Sequence, residues 1–128
     1  MIKELDGTKD HALAIEIIDG YTHEDEKSLE KMFEQRLDKG YQKVNLLVKL
    51  DHMSILKTSW RAAWEDGIYA LKHMKYCGRI AVVGDSKVEE WLGKADNAVF
   101  GNEKTGRVER FFPLQELTTA FNWVNEKS

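Results

Sequence analysis

Ile80-Ala81-Val82-Val83-Gly84-Asp85-Ser86 carries the plainest architectural signal in the sequence. Its four apolar residues do not alternate with polar ones, as they would in a strand wetted on one face, so they read as a strand covered on both sides. Gly84-Asp85-Ser86 then turns the chain into a helix, with Ser86 and Glu89 spaced as a capping box. That helix would bury Val88, Trp91, Leu92, Ala95 and Val99. A covered strand running straight into an amphipathic helix is half of a parallel β-α-β unit.

Working outward, the same unit recurs. Val44 to Leu50 is an apolar strand, followed by a helix from Thr58 to Met74 with Trp60, Ala63, Trp64, Ile68, Leu71 and Met74 in one stripe. Ala12 to Ile18 is another strand. The helix after it starts at Thr22, carries Asp25 in capping-box position, aligns Leu29, Met32, Phe33 and Leu37, and stops at Gly40. Ile2 to Leu5 with the Asp6-Gly7 turn lies so close to Ala12 that the first two strands should form an antiparallel hairpin. Downstream, Asn102 to Arg107 is polar and reads as a loop, and Val108 to Phe112 is a short fifth strand. Pro113 opens a last helix packed through Leu114, Leu117, Phe121 and Val124. The expectation is an α/β fold in one domain over residues 1–128: a five-stranded, mixed, mostly parallel sheet flanked by four helices.

Composition narrows the class. A 128-residue chain buries about two thirds of its unfolded surface without disulfides or metals. The net charge of −3 and the lack of a basic face argue against nucleic acid as a partner. The nearest basic grouping is Lys72, His73, Lys75 and Arg79. No apolar run approaches the roughly 20 residues of a membrane span. The first residues lack the apolar core of a signal peptide. The lone Cys77 excludes an intramolecular disulfide. These features together point to the cytoplasm.

In open parallel sheets ligands sit beyond the carboxyl ends of the strands. Those ends place Tyr21, Asp51, His52, Ser54, Thr58, Gly84, Asp85 and Ser86 at one edge. Asp51, His52 and Ser54 contain the residue types of a nucleophile, its base and an orienting acid. They fall within four residues of one loop, whereas triads draw on separate segments, and a polar turn capping the next helix explains them as well. Gly84-Asp85-Ser86 precedes a helix N-terminus, which attracts anions, but Asp85 would repel one and capping accounts for it. The four histidines, His11, His23, His52 and His73, fall on four different elements without metal-ligand spacing, so no metal is expected. Cys77 lies just before the fourth strand, at the opposite end of the sheet. Trp60 and Trp64 pack the core or line an apolar pocket.

Gly20-Tyr21-Thr22-His23-Glu24-Asp25, Trp64-Glu65-Asp66, Arg79-Ile80-Ala81-Val82-Val83-Gly84-Asp85, Phe112-Pro113-Leu114 and Ala120-Phe121-Asn122-Trp123-Val124, in this order and spacing, resemble the SpoIIAA-like family of small bacterial proteins, also called the STAS/SEC14 type. The resemblance spans Ala12 to Val124. It implies a fold shared with anti-sigma-factor antagonists, whose STAS domain binds a partner kinase and is switched by phosphorylation, and with SEC14 (CRAL-TRIO) lipid-transfer domains. The antagonists carry Asp-Ser-Ser/Thr-Gly where this chain has Lys57-Thr58-Ser59-Trp60. Thr58 keeps the hydroxyl at a helix N-terminus, which makes it the phosphorylation candidate, while Lys57 and Trp60 replace the acid and the glycine. Lipid-transfer domains are longer and have gating helices, so any cavity here is small.

The expected function is a non-enzymatic regulatory or binding module with no cofactor. It would engage a protein partner or a small apolar, lipid-like ligand through Tyr21, Asp51, His52, Ser54, Thr58, Trp60, Trp64, Gly84, Asp85 and Ser86. The alternative is a small hydrolase-like enzyme using His52 with Ser54 or Asp51. An aromatic helix face also allows a homodimer.

Overall fold

The computed structural model describes residues 1–18, 22–41, 43–50, 77–88 and 108–126. Five strands form one sheet: β1 (Ile2–Glu4), β2 (Ala12–Ile17), β3 (Val44–Lys49), β4 (Cys77–Gly84) and β5 (Val108–Pro113), in spatial order β1-β2-β3-β4-β5. β1 pairs antiparallel with β2, with Ile2 opposite Ile17. The other three pairings are parallel. The expected hairpin and the mixed, mostly parallel sheet are therefore both present.

The side-chain period of two sorts each strand's residues onto two unlike faces. One face carries Leu13, Ile15, Ile17, Val44, Leu46, Val48, Ile80 and Val82, and buries Leu29 and Phe33 of α1 (His23–Leu37) against them. The opposite face carries Ala12, Ala14, Leu47, Ala81 and Val83, and receives Ala120 and Val124 of α2 (Leu117–Asn125). Methyl side chains on both partners suit a close approach of α2 to the sheet, whereas the α1 face fills a deeper layer with branched chains.

Val88, at the start of the helix that residues 86–88 begin, belongs to the α1-side core. Right-handed crossovers between parallel strands in sequential order put their helices on one common face. α2, which follows the last strand, is free to take the other.

Local signals set the helix ends. Thr22 and Asp25 form the expected capping box at the start of α1. After the C-cap Asp38, Gly40 takes φ 99°, a conformation costly for any residue with a Cβ.

Three expectations need correction. β4 begins at Cys77, three residues before the expected start at Ile80. Val44 still pairs with Cys77 below a register shift, and there the N–H of Arg79 donates to the side chain of Asn45 on β3 at 2.8 Å. Cys77 is accordingly the first residue of β4 and not a residue ahead of it. Leu114 does not pack: it stands 41% exposed in a 3-10 turn, Leu114–Glu116, that precedes α2.

Of the four expected helices, α1 and α2 are described, the third is described only over residues 86–88, and the second falls outside the described residues. The expected loop at Asn102 to Arg107 also falls outside them.

Candidate functional site

At the carboxyl edge of the parallel strands the chain leaves β2, β3 and β4 side by side. The N–H of Leu50 donates to the carbonyl of Val83 at 2.8 Å, so the exit from β3 lies directly beside the turn at Gly84. Gly84 is required there by packing. A Cβ on it would sit 2.7 Å from the Cβ of Val88, four residues on, closer than carbon atoms can approach without displacement. The missing side chain is what lets the first helical turn fold back onto the end of the strand.

Asp85 then acts as the N-cap. Its Oδ1 accepts the N–H of both Lys87 and Val88, each at 3.0 Å, which satisfies two of the helix's orphan donors. Ser86, expected to lead the capping box, is instead the first helical residue and is exposed. Lys87 beside it is exposed too.

The same edge holds the start of α1. Thr22 N–H and Oγ1 donate to Oδ2 of Asp25 at 2.8 and 3.0 Å, and Asp25 N–H donates back to Oγ1 at 3.2 Å. The Met1 ammonium lies 3.0 Å from the same Oδ2 and donates to the Ile18 carbonyl at 3.0 Å. Burial works to raise the Asp25 carboxyl's pKa, but the hydrogen bonds from Thr22 and the ammonium outweigh it and hold the pKa below its usual value.

Gly84, Asp85 and Ser86, consecutive in the chain, stand beside the exit from β3. Tyr21, Asp51, His52, Ser54, Thr58, Trp60 and Trp64 lie outside the described residues, and with them the hydrolytic grouping, the phosphorylation candidate and the aromatic pocket. Among the described residues no group of three or more His, Cys, Asp or Glu could hold a metal ion.

The amino edge of the sheet is built from residues that the sequence did not single out for this role. Asn45, 1% exposed, donates through Nδ2 to the carbonyls of Val124 at 2.8 Å and Glu126 at 3.2 Å. Arg79 donates through Nη1 to the carbonyl of Trp123 at 2.9 Å and pairs with the Glu126 carboxylate at 2.7 Å. Its guanidinium also lies 5.2 Å from the centre of the Trp123 ring. His11 Nε2 lies 3.3 Å from the Glu126 carbonyl. Asn125 accepts the Lys9 N–H at 2.8 Å and donates to the Gly7 carbonyl at 3.0 Å.

The carbonyls of Trp123 and Val124 at the end of α2 are therefore capped by side chains from β4 and β3, while the side chain of Asn125 bonds the backbone of the first hairpin's loop. Arg36 at the end of α1 adds a bond from Nε to the Ala12 carbonyl at 2.9 Å. Arg79, grouped by sequence with Lys72, His73 and Lys75 as the nearest basic cluster, spends its charge on this cap. The available signal was a lone amide, Asn45, inside an otherwise apolar strand, since a buried amide must find partners.

Comparison with known proteins agrees with this architecture. An uncharacterized protein from the DUF3478 family with a SpoIIAA-like fold, from Shewanella loihica PV-4, superposes with a TM-score of 0.58 at 24% identity, covering 97% of this chain and 92% of that one. At that identity the likeness concerns the fold. No curated protein matches the chain. No helix among the described residues is long and apolar enough to cross a membrane. The SpoIIAA-like family model matches residues 12–125, from the first residue of β2 to the last of α2. A match of that extent takes in β2 to β5 with α1 and α2, and on it the chain belongs to the SpoIIAA-like family.

Proposed function

We propose that this chain is a non-enzymatic regulatory or binding module of the STAS/SEC14 type, which engages a protein partner or a small apolar, lipid-like ligand at the carboxyl edge of its parallel strands. The observation that carries the proposal is the inequality of the two edges. At the amino edge, Asn45, Arg79 and Asn125 are spent on holding α2. At the carboxyl edge, the helix that starts after Gly84 presents exposed Ser86 and Lys87, and carboxyl edges are where open parallel sheets bind. The SpoIIAA-like fold supports a module of this kind.

The test uses the full chain carrying Ser86→Arg and Lys87→Glu, with Lys39→Glu at the opposite edge as a control. Affinity capture from the native cells and native mass spectrometry would read protein partners and co-purified small molecules. The expected result is a tenfold or greater loss of the captured partner or bound mass in the first variant only, with its thermal midpoint unchanged. Equal binding by all forms, or equal loss at Lys39→Glu, would overturn the assignment of the edge. Ester hydrolysis that disappears with His52→Ala would overturn its non-enzymatic character.

A further inference from the structure

We draw no further inference here: the strongest candidate, the charged row Lys3–Glu16–Lys49 across β1, β2 and β3 on the α2-bearing face of the sheet, has its one carboxylate already paired with Lys49 at 3.1 Å, and nothing in the structure shows what covers it.

Discussion

The two edges of the sheet cap their helices in opposite ways. At the carboxyl edge each cap comes from the helix's own neighbourhood: Asp25 binds Thr22, three residues away, and Asp85 binds Lys87 and Val88. At the amino edge the caps of α2 come from far away, although α1 ends there on its local stop at Asp38 and Gly40. Asn45 reaches Val124 across 79 residues and Asn125 reaches Gly7 across 118. Local caps can be shifted or remade with the loop that carries them. The distant caps bind α2 to β3, β4 and the loop of the first hairpin at once, so a change there disturbs several elements together. One edge is built for permanence, and the other keeps its polar residues in short, separable motifs of the sort that binding loops use on a rigid scaffold.

Substitutions can break this contrast, and they rank by how much buried structure each one strands. Asn45→Ala should have the largest effect. It removes an amide that serves the Val124 carbonyl and the Arg79 N–H, both part-buried or buried, and leaving two such groups unpaired costs about 3 kcal/mol. Urea unfolding of the variant should show the midpoint falling with the slope unchanged. A loss below about 1 kcal/mol would mean that α2 is held by its apolar face alone.

Gly84→Ala comes next, at about 2 kcal/mol, because the new methyl collides with Val88. The double variant with Val88→Gly should recover part of that loss beyond additivity, since the Cβ and both Cγ atoms that the new methyl would meet are then gone. Strict additivity in a double-mutant cycle would refute the steric account.

Asp85→Ala should cost about 1 kcal/mol, the usual value of an N-cap, and Asp85→Ser considerably less.

The smallest effect is the pH dependence of Asp25. Its folded pKa lies below the ordinary 3.8. The unfolded chain therefore binds the proton first as pH falls, and stability is lost from about the ordinary value down through the lowered one. Above that window the contribution is fully present. Asp25→Asn should flatten the acid limb of the stability curve there and leave the neutral region with only the loss of the capping box. An unchanged acid limb would place the titrating carboxylate elsewhere.

The contrast also explains what the sequence could disclose. β4 announces itself by the unbroken apolar run Ile80 to Val83 and β2 by Ala12 to Ile15, and the α1 cap is readable because its two partners stand three residues apart. The start of the helix after β4 was misassigned by one residue. Asp85 and Ser86 are near-equal N-cap formers, and only the close seat of Gly84 on Val88 decides between them. The strand reading of Val44 to Leu50 was correct, yet the purpose of Asn45 within it was invisible. Its partners are a helix end and a strand residue far along the chain, and no local pattern encodes that meeting. Leu114 was misplaced for a related reason: a helical period drawn back to Pro113 ignores the 3-10 turn that lifts the residue off the sheet. At the candidate site, position in the fold was legible from strand ends alone, while the proposed binding residues His52, Thr58 and Trp60 lie outside the described residues and no spacing rule determines their grouping.

The bonds from Asn125 to Gly7 and Lys9 tie the first hairpin to the last helix. In effect they close the chain into a ring without a covalent link. A polypeptide made from its amino end cannot complete such a ring until its final helix exists. β1 and β2 must wait, with the alanine face of the sheet bare, for residues synthesised more than a hundred positions later. Long-range closures of this kind slow folding. The seal on the amino edge joins parts of the chain that are more than a hundred residues apart in sequence.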